Sequence, residues 1–382
     1  MEYRTFPKTG EKFSLLGFGT MRLPVERNGE SVKINEAETI RMIRSAIDRG
    51  VNYIDTAYPY HGGFSEVVVG KALKDGYREK VFLADKMPVW LLKEDEDLEK
   101  IFNEQLKRLD VDCIDMYLIH NANVPIWKRT LKYNILDFLE KKRAEGKIKY
   151  IGFSFHDAFA LFQEIIEAFP WDFCQIQLNY MDAEFQAGVK GLKFAGSKNI
   201  PVVIMEPLKG GKLTDILPPS IEAFWAQAPI KRTPAEWAMR WVADFPEVLT
   251  ILSGMSSMEQ VDENIRVLSE AEPNSLTESE HEIIKSVADE YNKLIQFSCT
   301  GCKYCLPCPE KIFIPTIIGL YNDWHLYQGS PKVRGDYKLW VPPKAGPSVC
   351  KTCKSCEARC PQQLPISDIM KKAQAIFEPN SK

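Results

Sequence analysis

Val51-Asn52-Tyr53-Ile54-Asp55-Thr56 is a short β-rich run with a carboxylate near its far end, and it continues into Ala57-Tyr58-Pro59-Tyr60. The segment before it, Asn35 to Arg49, reads as an amphipathic helix that closes on Gly50, the kind of residue that ends helices. This pairing of strand and helix repeats along the chain. Runs of the same kind lie at 15–19 (LLGFG), 81–86 (VFLADK), 113–120 (CIDMYLIH), 150–155 (YIGFSF), 173–179 (FCQIQLN), 200–207 and 248–254 (VLTILSG). Helical patterns between them include Asp95 to Leu109, Ile135 to Glu145, Ala158 to Ala168, Pro234 to Asp244 and Ser257 to Leu268. Thr233-Pro234 supplies a cap and a first-turn proline, and Gly146 another stop. Eight such units, with no G-x-G-x-x-G turn after the first strand, predict an α/β chain built on a closed (β/α)8 TIM barrel rather than a doubly wound sheet.

The last quarter has a different character. Eight of the ten cysteines lie there in two runs, Cys299, Cys302, Cys305, Cys308 and Cys350, Cys353, Cys356, Cys360, each followed by proline (Pro309, Pro361). The second run has the C-x2-C-x2-C-x3-C-P spacing of bacterial [4Fe-4S] ligation, and the first has two residues before its last cysteine instead of three. Structural zinc usually takes two C-x2-C pairs set apart, which leaves cysteines over in each run. Disulfides suit small secreted domains, and no apolar signal segment precedes Met1-Glu2-Tyr3-Arg4. The expectation is therefore two [4Fe-4S] clusters, with a single cluster left open by the short spacing. In two-cluster ferredoxins the fourth cysteine of each run serves the other cluster. Cys299, Cys302 and Cys305 would then join Cys360, and Cys350, Cys353 and Cys356 would join Cys308.

The 382 residues, 45% hydrophobic, suffice for a large core with an appended module. The division expected is a barrel over 1–275, a connecting helix over 276–298 opened by Thr277-Glu278-Ser279-Glu280, and a small, mainly helical ferredoxin-like iron-sulfur domain over 299–382. Within that domain 309–349, with Tyr321, Trp324, Tyr327, Tyr337 and Trp340, is too long and aromatic for a linker and would cover a cluster or the barrel mouth. Ile366 to Phe377 reads as a terminal helix, and Cys113 and Cys174 as buried apolar residues. The net charge of −3 is well mixed, so neither a nucleic acid nor a membrane is an expected partner. No apolar run is long enough to span a bilayer, and a cytoplasmic protein is expected.

In a barrel of this type catalysis sits where strands end. Polar residues there are Asp55, Lys86, His120, Ser154, Gln175, Asn179 and Glu206. Any one of them has a structural explanation, and their coincidence at one mouth is the informative feature. Asp55-Thr56-Ala57-Tyr58-Pro59-Tyr60, Ser65-Glu66, Lys86 and Tyr117-Leu118-Ile119-His120 resemble, in order, the catalytic segments of the aldo-keto reductases. The resemblance runs from about Gly17 to Asn264, and the cysteines make the chain similar to the subset with a ferredoxin-like tail. It implies an oxidoreductase that reduces a small carbonyl, or oxidises an alcohol, with hydride from NAD(P)H. Tyr60 would donate the proton, with Tyr58 as the rival assignment. A free phenol titrates near ~10, so Lys86 would stabilise phenolate character. Asp55 would orient Lys86, and His120 would align the substrate oxygen.

The resemblance also implies cofactor contacts from Ser154, Gln175, Met205, Gly254, Ser256, Gln260, Glu263 and Asn264, with informative departures. Phe155 replaces the usual asparagine after the serine, Met205 replaces a stacking aromatic, and Ser253-Gly254-Met255-Ser256-Ser257 with Gln260 replaces the basic run used on the 2′-phosphate of NADPH. Without that clamp, NADH and NADPH stay equally open. Gly254, Ser256 and Ser257, opening a helix, could bind a pyrophosphate through backbone amides. Hydride carries two electrons and a [4Fe-4S] cluster passes one, so a flavin is needed if the two join. It would lie in the altered nicotinamide site or in a redox partner such as a flavoprotein, with a ferredoxin as the other partner class. The alternatives to a nicotinamide reductase with electron-transfer or structural clusters are a cluster-fed reductase and a non-catalytic electron-transfer or binding subunit. The kept Asp55, Tyr60, Lys86 and His120 argue against the last. Substrate choice would rest on loops such as 121–133 and 207–232.

Overall fold

The computed structural model describes residues 1–28, 31–214, 217–299, 305–360 and 362–379. The chain opens with a hairpin of β1 (Tyr3–Thr5) and β2 (Lys12–Ser14). It then enters β3 (Leu16–Gly19), forms a second hairpin of β4 (Val25–Asn28) and β5 (Ser31–Ile34), and continues through helix α1 (Glu36–Asp48). There follow β6 (Tyr53–Asp55), α2 (Phe64–Ala72), β7 (Phe82–Met87), α3 (Glu96–Leu109), β8 (Ile114–Ala122), α4 (Val124–Lys132) and α5 (Ile135–Ala144). Next come β9 (Ile148–Phe155), α6 (Phe159–Ala168), β10 (Phe173–Gln177), α7 (Gly188–Ser197), β11 (Val202–Met205), α8 (Pro219–Gln227), α9 (Pro234–Ala243), β12 (Val248–Ser253) and α10 (Met258–Leu268). The chain ends with α11 (Glu278–Leu294), α12 (Ile314–Leu326), α13 (Pro331–Trp340) and α14 (Ile366–Phe377).

Strands β3 and β6 to β12 pair in parallel and close into a barrel, in the sequential order that βα repeats produce. Their near-continuous burial follows from being covered on both faces. Side chains alternate between the two faces with a period of two. Tyr53, Ala84, Met116, Leu118, Tyr150, Phe173 and Val203 form one buried cluster, inside the barrel, while Ile54, Leu83, Tyr117, Ile119, Ile151, Phe153 and Ile176 belong to another, under the helices. The helices supply the matching stripes. In α3, Leu98, Ile101, Phe102, Gln105, Leu106 and Leu109 are buried, and Asp110 ends it in a left-handed conformation. In α1 the Asn35 side chain caps the first turn by accepting from the Glu38 N–H at 3.0 Å.

The hairpin β1–β2 is not apparent from the sequence pattern, its strands being three residues each. Phe6 and Phe13 from its two sides are fully buried against the interior cluster, and Phe13 stacks on Phe82 with ring centroids 3.9 Å apart. Truncating a buried phenylalanine costs about 3–5 kcal/mol, so this plug contributes as much as a core layer.

The chain divides into two compact units, one of 1–211 with 232–281 and the other of 212–231 with 282–382. The second is helical. In α12, Ile314, Ile317, Ile318, Leu320 and Tyr321 are buried, and the Tyr337 ring stacks on Phe377 at 4.6 Å. The Asn322 side chain closes a pair of hydrogen bonds with the backbone of Phe297 (3.0 and 2.8 Å). Lys212 lies between Asp323 and Asp336, 3.1 Å from the latter, so a residue of the segment after β11 is held by carboxylates of α12 and α13. Burial pushes the Lys212 ammonium down, and the two aspartates more than restore it. Among the described residues, no helix is long and apolar enough to cross a membrane.

Candidate active site

Alternation puts Asp55, Lys86, His120, Ser154, Gln175 and Met205 on the inward side of six consecutive strands, beyond the apolar rungs. Lys86 Nζ donates to Asp55 Oδ1 at 2.7 Å and to the Thr56 carbonyl at 2.7 Å. Both side chains are almost wholly buried. The Lys86 ammonium lies 5.1 Å from the centroid of the Tyr60 ring, and the rings of Tyr60 and His120 meet edge to face at 6.1 Å. Trp90 tilts against His120 at 5.1 Å from the far side and is partly exposed. Tyr58, the rival donor, turns away, giving its hydroxyl hydrogen to Glu104 at 2.9 Å beneath Arg108.

Tyr60 reaches this position because the chain turns sharply after it. His61, Gly62 and Gly63 have φ of 50°, 67° and 91°. At Gly63 the left-handed backbone favours glycine, and a Cβ would also press within 2.9 Å of the Arg108 guanidinium, which would have to shift. Below the turn a hydrogen-bonded chain of hydroxyls fastens the strand ends: Ser65 to Thr20 at 2.7 Å, Thr20 to the Asp55 carbonyl at 2.9 Å, and Ser65 with Thr56 at 2.9 Å. Ser65 thus fastens the turn that carries Tyr60 through hydrogen bonds.

The electrostatics follow from burial. Burial raises the Tyr60 phenol, Lys86 pulls it back by charge and hydrogen bonding, and burial wins. The phenol therefore stays protonated, the state required of a proton donor. Burial depresses the Lys86 ammonium, but Asp55, Tyr60 and Asp85 together leave it above its ordinary value. Burial also raises Asp55, against the pull of Lys86. His120 is held well below an ordinary imidazole by burial and by the nearby Lys86 and His156, so the ring is neutral. Among the described residues its Nδ1 is buried without a hydrogen-bond partner, as are Asp55 Oδ2 and Gln175 Oε1. Orphaned buried polar atoms of this kind, on neighbouring strand ends, are what a ligand site leaves for its ligand.

The model of the aldo/keto reductase family matches residues 15–289. The chain belongs to the aldo/keto reductase family. It is accordingly an NAD(P)H-dependent oxidoreductase. This aldo/keto reductase is 27% identical over 296 residues to the L-galactose dehydrogenase of Arabidopsis thaliana, an alignment covering 71% of the chain and 89% of the relative. It is 28% identical over 261 residues to the NADH-specific methylglyoxal reductase of Escherichia coli, covering 57% and 79%. Among solved structures, the holo form of aldo-keto reductase AKR11C1 from Bacillus halodurans superposes with a TM-score of 0.62 at 25% identity, covering 75% of this chain and 96% of that one.

Ser154 and Gln175 lie next to one another in the sheet, paired in register. The Ser154 hydroxyl is occupied in bracing the neighbouring strand, accepting from the Asn121 N–H at 2.8 Å and facing the Ile119 carbonyl at 3.4 Å. Gln175 Nε2 points at Met205 Sδ at 3.6 Å, leaving Oε1 for a ligand. Phe155 departs from the sequence reading. Its odd position in the alternation turns it outward, fully buried against Phe162 at 5.1 Å, so it takes no part in a nicotinamide or flavin site. Asn179 and Glu206 join at a loop closure, the Asn179 amide donating to the Glu206 carbonyl at 3.2 Å and to Asp182 at 3.1 Å.

After β12, Ser256 N–H donates to Gln260 Oε1 at 2.7 Å and the Ser256 hydroxyl to the Arg22 carbonyl at 2.6 Å. Asn264 donates to Ser253 at 2.9 Å, and Glu263 accepts from Thr233 at 2.6 Å. Gly254 lies against the stem of Arg22, where a Cβ would sit 3.2–3.4 Å from its carbons, and a Cβ at Gly210 would come within 2.7 Å of Nη2. Arg22 is thus the cation between the loops after β11 and β12, and among the described residues its guanidinium forms no ion pair. The sequence reading did not list it. Extending the strand-end rule to β3, which ends at Gly19, would have found it.

The cysteine runs belong to the second unit, apart from Cys302 and Pro361, which lie outside the described residues. No disulfide joins any of the described cysteines, and no three His, Cys, Asp or Glu among the described residues converge as a metal site. The runs are nevertheless brought together. The Arg359 guanidinium, from the second run, donates to the carbonyls of Cys305 (3.2 Å), Leu306 (3.4 Å) and Pro307 (3.2 Å) in the first. Cys308 is close enough to Cys356 to raise its thiol, adding to the effect of burial. Of the barrel cysteines, Cys174 is buried and Cys113 partly so.

Proposed function

We propose that this chain reduces a small-molecule carbonyl, or oxidises the corresponding alcohol, with NADH as the preferred nucleotide. When bound, the nicotinamide supplies the hydride. The chain's residues do the rest. Tyr60 gives its phenolic proton to the oxygen that gains negative charge, and Lys86, anchored by Asp55, stabilises the phenolate left behind. The neutral His120 hydrogen-bonds the same oxygen and orients it, while Trp90 walls the substrate side. Gln175 Oε1 fits the carboxamide donor, Ser154 holds the adjoining strand, and Met205 covers the ring. Arg22, with Gly254 and the turn at Ser256, fits the phosphates, and Glu263 and Asn264 lie on the adenine side. The observation that carries this reading is the buried Asp55–Lys86 pair beneath Tyr60 and His120.

The preference for NADH rests on charge. The turn after β12 is closed by Gln260, and Glu259 adds an anion there, where a 2′-phosphate calls for Arg or Lys.

We further take 299–382, reached through 276–298, as a ferredoxin-like domain holding two [4Fe-4S] clusters in the grouping given above. The cysteine spacing carries this, and the approach of Cys308 to Cys356 supports it. A one-electron carrier would be the partner of such clusters, and a reducing cytoplasm suits the thiols.

The test is made on full-length protein purified anaerobically. About eight irons per chain and broad cluster absorbance are expected. With methylglyoxal as probe, Tyr60→Phe should lose about 10²–10⁴-fold in kcat at unchanged melting. Unchanged turnover would remove the assignment of Tyr60, and zinc without iron would remove the clusters.

A further inference from the structure

Directly behind Lys86, on the outward face of the barrel wall, two carboxyl groups are buried together. Asp85 and Glu66 are both fully inaccessible to solvent. Asp85 Oδ1 accepts from the backbone N–H of Lys86 at 2.7 Å, and Oδ2 from the Gln105 amide at 2.8 Å. Gln105 also donates to the Lys86 carbonyl at 3.1 Å and accepts from Tyr117 at 2.5 Å, so α3 grips the Lys86 peptide on both sides. Glu66 Oε2 accepts from Arg108 at 2.7 Å, but among the described residues Glu66 Oε1 has no donor. The Asp85 carboxyl lies close enough that the two acids perturb each other, and the Gln105 amide is the other polar group beside it. Two ionised carboxylates set together away from water repel each other, and with no hydrogen between them neither can hydrogen-bond to the other.

We propose that Asp85 and Glu66 share a single proton, and that this contact is a positioning device which seats the Lys86 end of β7 between α2 and α3. The pair then carries one negative charge, matched by one cation, Arg108, which Glu104 also holds at 2.6 Å. Burial and mutual repulsion raise Asp85 well above an ordinary carboxyl, and burial raises Glu66 against the pull of Arg108. The other titratable groups that feel Asp85 are Lys86, Tyr60 and Tyr117. A carboxyl raised on folding binds its proton more tightly in the native than in the unfolded chain. Stability therefore falls as pH rises from the ordinary aspartate value of 3.8 through the pair's own pKa. Above that, two charges face one another in a dry site, and the displacement falls on the peptide that carries Lys86.

This rests on Lys86 serving the reducing site, and the proton itself is observable without turnover. Infrared difference spectra of the full-length protein at pH 7 should show a protonated carboxyl band that shifts or vanishes in both Glu66→Gln and Asp85→Asn. Absence from the wild type, or a band unchanged in either variant, would overturn the shared proton. Glu66→Gln places an amide where the bridging hydrogen would be and should keep kcat within about threefold at pH 7. It should also abolish the alkaline fall in kcat that the wild type shows below the titration of Tyr60. A wild type without that fall, or a fall unchanged in Glu66→Gln, would overturn the positioning role. The band persists if the roles of Tyr60 and Lys86 are wrong, which separates the two failures.

Discussion

The barrel mouth and the cysteine-bearing region are both sites of dense polar chemistry, but they are organised by opposite means. At the mouth, Asp55, Lys86, His120 and Gln175 come from four different strands, and each is locked by contacts distant in sequence. In the second unit the thiols lie three or four residues apart along the chain, and the bridges that join the two runs are made to backbone carbonyls through Arg359. A site that moves a proton needs its groups prepositioned by a rigid scaffold, because ångström errors cost orders of magnitude in rate. On the proposed reading each cluster takes three thiolates from one run, which local chain geometry supplies, and only the fourth from the other run.

The first way to break this contrast is at Lys86. Lys86→Met should lower kcat/KM by at least about 10³-fold and also destabilise the barrel, since Asp55 is left buried without its cation. A variant that melts like the wild type would show that the pair is not prepositioned. In the second unit the counterpart is Lys212→Met, which strands Asp323 and Asp336 against each other. It should lower stability by about 3 kcal/mol in denaturant unfolding, with steady-state kinetics of the intact protein as the second readout. Arg22→Ala should raise the KM for NADH about tenfold with little change in kcat, the size expected for a charged hydrogen bond to phosphate. An unchanged KM would take Arg22 out of the nucleotide site.

The smallest expected effect is a pH dependence. His120 has its pKa lowered from 6.5 in the folded chain, so below that pH the unfolded chain binds a proton that the native one refuses. Stability is lost as pH falls from about 6.5 toward the depressed value, and His120→Gln should flatten that limb of the melting profile. An unaltered limb would mean that the imidazole is not held neutral.

Much of the barrel was legible because strand and helix patterns are local. All eight barrel strands sit where the β-rich runs predicted them, and parity along each strand separates inward Lys86 from outward Asp85. Helices α2, α4, α7 and α8 were harder to see. In α2, Val68, Val69, Gly70 and Ala72 are all buried, which blurs the amphipathic stripe. The β1–β2 plug escaped notice because three-residue strands carry too little pattern. Phe155 was read by position in a motif, and parity was the better guide.

By itself the sequence determined the repeat that makes a barrel, the strand ends that bear Asp55, Lys86 and His120, and the spacing of eight thiols in the last quarter. These depend on backbone periodicity and covalent reach, which are properties of neighbours along the chain. Only the tertiary structure decided that Tyr60 rather than Tyr58 faces His120, that Arg22 stands between two distant loops, and that burial keeps the phenol protonated against the pull of Lys86. It also set Asp85 against Glu66, nineteen positions apart in sequence. Ionisation depends on which groups exclude water from one another, and that is settled only when the strands close.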